Sequence, residues 1–280
     1  MRSKQVHKEK ENALEAIFDQ TKAVIAVVHA HPLPGSPDYD GESPKEIYKA
    51  AVEDAVKYAE EGVDGIIVEN HGDIPFLKPE DIGPETVAAM TMIASRVRGA
   101  TKLPVGVNLL ANAAKPAMAV AKSTESSFIR VNEWVNAYVA NEGIVEGKAA
   151  EAMRYRSWIE ARDIRVFTDV HVKHGAHAIV SDRSIKELTK DAEFFGSDAV
   201  IVTGHRTGNA PTEEEMSKID EATQLPLIAG SGASIENIEE IFKVAEGVII
   251  ASSLKHEGVW WNPVDQKRVK DFMKKVKSLR

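Results

Sequence analysis

Short apolar segments of strand length recur eight times along the chain, and an amphipathic segment of helix length follows each of them. The first covers residues 23–28 and the last covers residues 247–251. Segments that are apolar at almost every position are typical of strands in a parallel sheet that helices cover on its faces. Eight such units within 280 residues predict a single (β/α)8 TIM barrel, whose usual length is about 250 residues.

A doubly wound parallel sheet is the alternative fold for this alternation. Such a sheet usually carries its glycine-rich phosphate turn after the first strand. Here the two turns of small residues follow the last two strands instead, which favours the barrel.

The chain begins with a segment that we assign to a separate N-terminal helical extension, residues 1–22, ahead of a barrel over residues 23–280. Residues 9–20 predict a short lead-in helix that caps the bottom of the barrel. The extension is charged almost throughout and has no apolar core of a signal peptide. No apolar run approaches the roughly 20 residues that span a bilayer, so no membrane span is expected.

Composition excludes several classes of function. The chain has no cysteine, which excludes disulfides, iron–sulfur clusters, thiolate zinc ligands and cysteine nucleophiles. This fits a cytoplasmic location. The formal net charge is −8 and the basic residues form no stripe, so nucleic-acid binding is disfavoured.

The two apolar segments nearest the C-terminus are each followed by small residues. A helix is predicted over residues 235–244 between them, with Ser234 as its N-cap. Glycine turns after strands seven and eight form the phosphate site of many TIM barrels, because their backbone N–H groups approach the ligand closely. The predicted phosphate-binding residues are Gly230, Ser231, Gly232, Ala233, Ser252 and Ser253.

Polar residues gather at the predicted carboxyl ends of the strands, where the active sites of barrels lie. Eight of the nine histidines, all but His7, fall at these ends or in the loops just after them. Alternation along strand five places Asp169, His171 and Lys173 on one face. The predicted catalytic residues are Glu69 and Asp169 as an acid–base pair, assisted by His29 and His171. The predicted substrate-binding residues are Asn108, Arg130, Asn132, Lys173, Thr203 and His205.

A metal-dependent hydrolase is another interpretation of the histidines. His29, His31, His171 and His205 resemble the ligand distribution of the amidohydrolase barrels. Strand four, however, offers Arg130 and Asn132 where a lysine or an acid is needed, and strand eight ends without an aspartate. We therefore expect no metal ion and no other cofactor.

Long loops with aromatic residues follow several strands. The loop over residues 133–147 carries Trp134 and Tyr138, and the last loop carries Trp260 and Trp261. Such loops either close over a substrate or form a subunit interface, and both remain open here. A homo-oligomer is expected.

Several motifs together resemble the BtpA/SgcQ family from strand one nearly to the C-terminus. They are His29 with 32–37 (PLPGSP), 69–76 (ENHGDIPF), 129–132 (IRVN), 143–147 (GIVEG), 169–174 (DVHVKH), 203–204 with 207–208, 230–232 (GSG) and 253–255 (SLK). The resemblance implies a ribulose-phosphate-binding type of barrel. It also implies a possible role in photosystem I biogenesis, as a protein peripheral to thylakoids.

The sequence as a whole predicts a cytoplasmic enzyme that acts on a small phosphorylated, ribose-like or nucleoside-like molecule. The expected reaction is acid–base chemistry at a sugar carbon, either isomerisation or cleavage of an N-glycosidic bond. Two alternatives stay open: a non-catalytic binding or assembly factor, and a metal-dependent hydrolase.

Overall fold

A computed structural model describes residues 11–204 and 209–280. The helices are α1 (Ala13–Phe18), α2 (Pro44–Glu60), α3 (Pro84–Thr101), α4 (Ala114–Thr124), α5 (Ala149–Trp158), α6 (Ile185–Phe194), α7 (Glu213–Asp220), α8 (Ile238–Ile241) and α9 (Gln266–Lys277). The strands are β1 (Ala23–His29), β2 (Gly65–Glu69), β3 (Val105–Asn108), β4 (Phe128–Val131), β5 (Ala137–Ala140), β6 (Gly143–Glu146), β7 (Arg165–Val170), β8 (Ala199–Val202), β9 (Leu227–Ala229) and β10 (Gly247–Ile250).

Eight of these strands close into a parallel barrel in the order β1-β10-β9-β8-β7-β4-β3-β2. The predicted (β/α)8 architecture is confirmed. The register places His29 opposite Glu69 and Glu69 opposite Asn108 on three adjacent strands. Because parallel strands in register end at the same level, these three side chains start from one level at the carboxyl end of the barrel.

The predicted lead-in helix is also confirmed, as α1, which covers the amino-terminal end of the barrel. Asn12 caps it by accepting hydrogen bonds from the next turn's N–H groups. Phe18 packs edge-on against Phe128 inside the barrel, with ring centroids 5.7 Å apart. At Gly65 a β-carbon would lie 2.4 Å from the Phe18 ring, so glycine lets α1 pack this closely. The apolar packing closes the end of the barrel opposite the polar residues.

The loop over residues 133–147 contains a structure that the sequence analysis did not predict. Strands β5 and β6 pair in register as an antiparallel hairpin beside the mouth of the barrel. Tyr138 and Val145 from the hairpin pack with Val172 in a small apolar cluster of their own. The hairpin therefore forms a wall above the carboxyl ends of β4 and β7.

The helix predicted over residues 235–244 is wrong in length, and Ser234 is not its N-cap. Only α8, four residues long, is helical there, and Asn237 precedes it. The Asn237 side chain accepts a hydrogen bond from Ser234 N at 2.8 Å and donates one to Gly232 O at 2.8 Å. Such local side-chain bonds compete with the helix and hold the first turn in a non-helical form.

None of the helices within residues 11–204 and 209–280 is both long and apolar enough to cross a bilayer.

Candidate functional site

A cavity of about 350 Å³, here called the central cavity, opens at the carboxyl end of the barrel. Both glycine and serine turns, residues 230–234 and 251–253, line it. Its other polar lining residues are His29, Glu69, His71, Arg130, Lys173 and Arg268. The structure thus brings the predicted phosphate turns into one cavity with several predicted catalytic and substrate-binding residues.

Glu69 lies on the wall of the central cavity as a buried carboxylate with two strong donors. Asn108 Nδ2 donates to Oε2 at 2.7 Å, and His71 Nδ1 lies 3.0 Å from Oε1. Burial by itself raises the pKa of Glu69, but the hydrogen bond from His71 and the nearby positive charges outweigh burial and hold that pKa well below its usual range. Glu69 is therefore a fixed negative charge.

His29 adjoins this carboxylate but carries no charge near neutral pH. Burial lowers its pKa to about 3, and the Glu69 carboxylate offsets only part of that effect. Its Nδ1 lies 3.1 Å from the carbonyl oxygen of Trp260, so Nδ1 carries the proton. The unprotonated Nε2 faces Glu69 Oε1 at 3.9 Å.

The loops after β1 and β2 are tied together, which fixes His71 beside His29. Asp73 accepts from Leu33 N at 2.8 Å and from Asn70 Nδ2 at 3.0 Å. At Gly72 a β-carbon would lie 2.6 Å from Ala30 O, so glycine permits the contact between the loops. The two imidazole rings stack with centroids 4.7 Å apart.

Arg130 and Asp169 form a bidentate ion pair behind the central cavity. Nε donates to Oδ1 at 3.0 Å and Nη2 donates to Oδ2 at 2.9 Å, and both side chains are buried. Arg130 lines the cavity and its Nη1 lies 3.9 Å from Glu69 Oε2, whereas Asp169 is not among the residues that line it. Asp169 as a catalytic residue stays a prediction, but this geometry favours a positioning role toward Arg130.

Lys173 also lines the central cavity, and its backbone N–H donates to Thr203 Oγ1 at 2.9 Å. No hydrogen bond or ion pair of its ammonium group is found with the described residues. Burial, reinforced by the charge of Arg130, lowers the pKa of Lys173. The structure thus presents a lysine that loses its proton more easily than an ordinary one.

The structure separates His171 from the central cavity, contrary to the shared strand face predicted for Asp169, His171 and Lys173. Strand β7 ends at Val170, and His171 has a positive φ of 57°, which breaks the alternation. Its ring stacks on His177 with centroids 3.9 Å apart, in a separate small cavity next to Glu133. His205 lies outside the described residues.

The two turns that line the central cavity carry backbone N–H groups without a partner in the described chain. In the described chain, the N–H groups of Gly232, Ala233, Ser252 and Ser253 donate to no loop or side-chain acceptor. Buried or half-buried N–H groups normally have a partner in a protein or in a ligand. An anion site built from backbone amides needs unpartnered N–H groups of this kind, so the phosphate site stays a prediction.

Two of the predicted serine ligands have structural partners instead. Ser231 Oγ accepts from Gly204 N at 3.1 Å and donates to Asn209 O at 2.9 Å. Ser253 Oγ donates to Ala233 O at 2.7 Å and so ties one turn to the other. Ser252 is the serine whose hydroxyl has no partner within the described residues.

A second cavity of about 370 Å³, here called the hairpin cavity, shares its wall with the first. Glu69, His71, Arg130, Lys173 and Trp260 line both cavities. Asn132, Phe76 and the hairpin residues Tyr138, Ala140, Asn141 and Glu142 line only the second. Buried Oδ1 atoms of Asn108 and Asn132 accept no hydrogen bond from the described residues. The whole site is a two-part cleft with aromatic groups at one end.

The sequence analysis missed three residues of this site: His71, Trp260 as part of the cavity wall, and Arg268. Trp260 packs edge-on against His71, with centroids 4.4 Å apart. Arg268 Nη1 donates to Ser253 O at 3.3 Å and so brings a cation to the phosphate turns. His71 had a usable signal, because it directly follows Glu69 and Asn70 in the quoted motif, and Trp260 had a weaker one in its long aromatic loop, whereas Arg268 had none.

Glu133 is buried beside Asp169, and its pKa predicts how the stability of the protein depends on pH. Burial and the Asp169 charge raise the pKa of Glu133 to about 8 from 4.5. Between these values the folded state holds a proton that the unfolded state lacks, so the free energy of unfolding should fall as pH rises from about 5 to 8, by up to about 5 kcal/mol. Because glutamine does not ionise, Glu133→Gln should remove this fall in the free energy of unfolding.

Chemical denaturation of both proteins from pH 5 to 8.5 measures the difference. Exposed Glu151, at the start of α5, provides the control, and Glu151→Gln should retain the wild-type slope. Equal slopes for wild type and Glu133→Gln would show that Glu133 ionises normally in the folded protein.

Comparisons with known proteins show which proteins this chain resembles. A sequence model of the BtpA family matches residues 20–278. An uncharacterised mitochondrial protein of Caenorhabditis elegans is 39% identical over 262 residues, which cover 92% of this chain and 94% of that protein. Photosystem I biogenesis protein BtpA of Synechocystis sp. is 38% identical over 257 residues, which cover 91% of this chain and 88% of that protein.

Among solved structures, (S)-3-O-geranylgeranylglyceryl phosphate synthase from Thermoplasma acidophilum, in complex with sn-glycerol-1-phosphate, is similar in fold. Its TM-score is 0.60 at 13% sequence identity, and the match covers 95% of this chain and 97% of that one. At this identity the likeness shows the TIM-barrel fold.

Proposed function

The chain belongs to the BtpA family, and from this premise we propose that it is an enzyme that transfers a proton at a carbon atom of a small phosphorylated sugar. The observation that carries the proposal is the central cavity itself. Four residues whose backbone N–H groups have no partner in the described chain line the same space as Glu69, Arg130 and Lys173.

The phosphate group would bind at the two turns. Backbone N–H groups suit a phosphate because they donate to several of its oxygens without adding flexible side chains. The hydroxyl of Ser252 and the guanidinium of Arg268 line the same end of the cavity. Helix α8 has only four residues, so its dipole adds little, and the amides and Arg268 carry the interaction.

Lys173 is the better candidate for the base, and Glu69 for a fixed charge. A general base works best when its pKa lies near the working pH. The pKa of Glu69 is held too low for this, whereas the pKa of Lys173 is shifted toward neutrality. Arg130 lines both cavities beside Lys173 and is placed to stabilise the negative charge that proton removal leaves on a substrate oxygen.

Isomerisation fits this geometry better than N-glycosidic cleavage. Glycoside cleavage commonly uses two carboxyl groups, one on each side of the bond. Here Glu69 faces the cavity, and both oxygens of Asp169 are bonded to Arg130. The second part of the substrate would occupy the hairpin cavity, where Phe76, Tyr138 and Trp260 suit an aromatic or other planar group and Asn132 offers an acceptor to a hydroxyl.

The complex of the geranylgeranylglyceryl phosphate synthase with sn-glycerol-1-phosphate supports a phosphorylated ligand in this fold. The name of the Synechocystis relative keeps a binding or assembly role as the second candidate. An unpaired, desolvated lysine next to Arg130 is unfavourable to keep in a protein that only binds, which favours the enzyme.

We propose that the protein is cytoplasmic. A homo-oligomer also stays a prediction, and the exposed aromatic rings of Trp158 and Phe194 on the outer helices suit an interface.

Changing Ser252 tests the phosphate site. Ser252→Asp places a carboxylate at the proposed anion position, so it should weaken the binding of ribose 5-phosphate by about a hundredfold or more, because like charges repel strongly where water is excluded. Asparagine is nearly the same size as aspartate but carries no charge. Ser252→Asn should therefore weaken the binding of ribose 5-phosphate by about tenfold at most. Isothermal titration calorimetry at fixed ionic strength measures both.

Unphosphorylated ribose is the ligand control and should bind far more weakly than ribose 5-phosphate to the wild type. If Ser252→Asp and Ser252→Asn bind ribose 5-phosphate equally well, the phosphate does not lie at these turns.

A further inference from the structure

Three metal-binding groups meet on the wall of the central cavity, at the ends of β1 and β2. One nitrogen of His29, one nitrogen of His71 and one carboxylate oxygen of Glu69 all lie within 4.8 Å of one another. We propose that these three residues bind one divalent transition-metal ion. The proposal is independent of the reaction and of the phosphate turns, because the protein alone supplies its ligands.

The surroundings of His29 are those of a metal ligand. Metal-binding histidines usually donate their other ring N–H to a carbonyl or carboxylate, which fixes the tautomer and the ring. The Nδ1–H of His29 lies 3.1 Å from Trp260 O, which leaves Nε2 as a bare acceptor. That acceptor faces Glu69 Oε1, also an acceptor, at 3.9 Å. Two such atoms facing one another are favourable when a cation lies between them.

Glu69 is held in the same way. Its Oε2 accepts a hydrogen bond from buried Asn108 at 2.7 Å, which leaves Oε1 toward the two imidazole rings. Ligating carboxylates are typically oriented by such a second bond. His71 Nδ1 lies 3.0 Å from Oε1, and a metal ion would replace the proton between them.

The distances are compatible with an ion after a small adjustment. Two ligand atoms that each lie about 2.1 Å from zinc are at most about 4.2 Å apart. The His71 ring is partly exposed at the cavity, so it can rotate and bring its ring nitrogen within that distance of the other two ligand atoms.

Nearby charges allow a cation on the Oε1 side of Glu69. Arg130 approaches the other oxygen, Oε2, at 3.9 Å, and Asp169 compensates its charge. Lys255 is paired with Asp54 at 3.4 Å. Lys173 remains as the facing cation, with a lowered pKa, and the phosphate of a bound ligand would offset it further. Metal and phosphate should therefore bind more tightly together than separately.

The donor set indicates the class of ion. Two imidazoles and one carboxylate are found in zinc hydrolases and in the iron sites of the two-histidine, one-carboxylate type. Magnesium and calcium prefer oxygen ligands throughout. The sequence analysis expected no metal because strands four and eight lack ligands, but these ligands come from β1, β2 and the turn that contains His71.

Cobalt titration of the full-length, chelator-treated protein tests the site without any substrate. Co²⁺ should bind at about one ion per chain with a visible absorption band, and Zn²⁺ should displace it. His71→Ala and His29→Ala should each weaken binding by about a hundredfold or more. His31→Ala is the matched control, because His31 is exposed and pairs with Glu42 at 3.0 Å outside the cluster, and it should bind as the wild type does.

Melting curves without metal show whether each variant folds, and the partly exposed His71 is the decisive position if His29→Ala melts early. Ser252→Asp should retain the cobalt band in the absence of phosphate, and in metal-free buffer His71→Ala should bind ribose 5-phosphate within about threefold of the wild type, so the two sites can fail separately. Absence of stoichiometric binding by the wild type overturns the proposal. So does an equal loss of binding in His31→Ala.

Discussion

Asp169→Asn should lower the free energy of unfolding by about 3–5 kcal/mol, because it leaves the buried guanidinium of Arg130 without its bidentate partner. For a protein of this size the melting temperature should fall by roughly 10 °C. The shape of the side chain is nearly unchanged, so lost charge and hydrogen bonding cause the effect. Circular dichroism melting and urea titration measure it.

Asp163→Asn is the control for this variant. Asp163 is exposed and lies 3.9 Å from Lys122, and exposed pairs of this kind contribute about 0–1 kcal/mol. If Asp169 were only a catalytic acid or base, its replacement would leave stability near that of the wild type while removing activity. An unchanged melting temperature would thus return Asp169 to its predicted catalytic role.

The architecture could be predicted because its signals are local. Most positions of the barrel strands are apolar, as in β1 and β10. The turns of small residues likewise lie directly after β9 and β10, and the structure places both around one cavity. The local preferences of these strands and turns agree with the folded structure because tertiary contacts do not oppose them.

The arrangement of the site depends on particular contacts and backbone turns that no pattern in the sequence displays. Asn237 bonds back to Gly232 and shortens α8. His171 leaves the strand face because its backbone turns left-handed there. Arg268 reaches Ser253 from a helix that has no motif of its own. The β5–β6 hairpin lies outside the barrel sheet and outside the alternation of strand and helix, so that pattern did not reveal it.

Lys173→Met should slow proton exchange at the sugar carbon by about 10²–10⁴-fold, the usual contribution of a general base. The assay follows deuterium uptake from D₂O into a panel of phosphorylated aldoses and ketoses by NMR, so the product need not be known. Because the pKa of Lys173 is lowered from 10.5, the wild-type rate should rise with pH and level off below that value. Binding of ribose 5-phosphate should weaken about tenfold at most.

Lys148→Met is the matched control. Lys148 is paired with exposed Glu146 at 3.5 Å, away from both cavities, and its replacement should leave exchange unchanged. Full exchange in Lys173→Met would remove Lys173 from the mechanism. A wild type that binds these phosphates but exchanges no proton in any of them would favour the binding or assembly role.

The position of a bound phosphate tests the central claim most directly. A crystal structure of the full-length protein with ribose 5-phosphate should show the phosphorus atom at the end of the central cavity formed by the two turns. Its oxygens should lie within hydrogen-bond distance of the N–H groups of Gly232, Ala233, Ser252 and Ser253, with the sugar extending toward Lys173. A phosphate bound elsewhere on the rim of the barrel, or turns whose N–H groups point away from the cavity, would contradict the account.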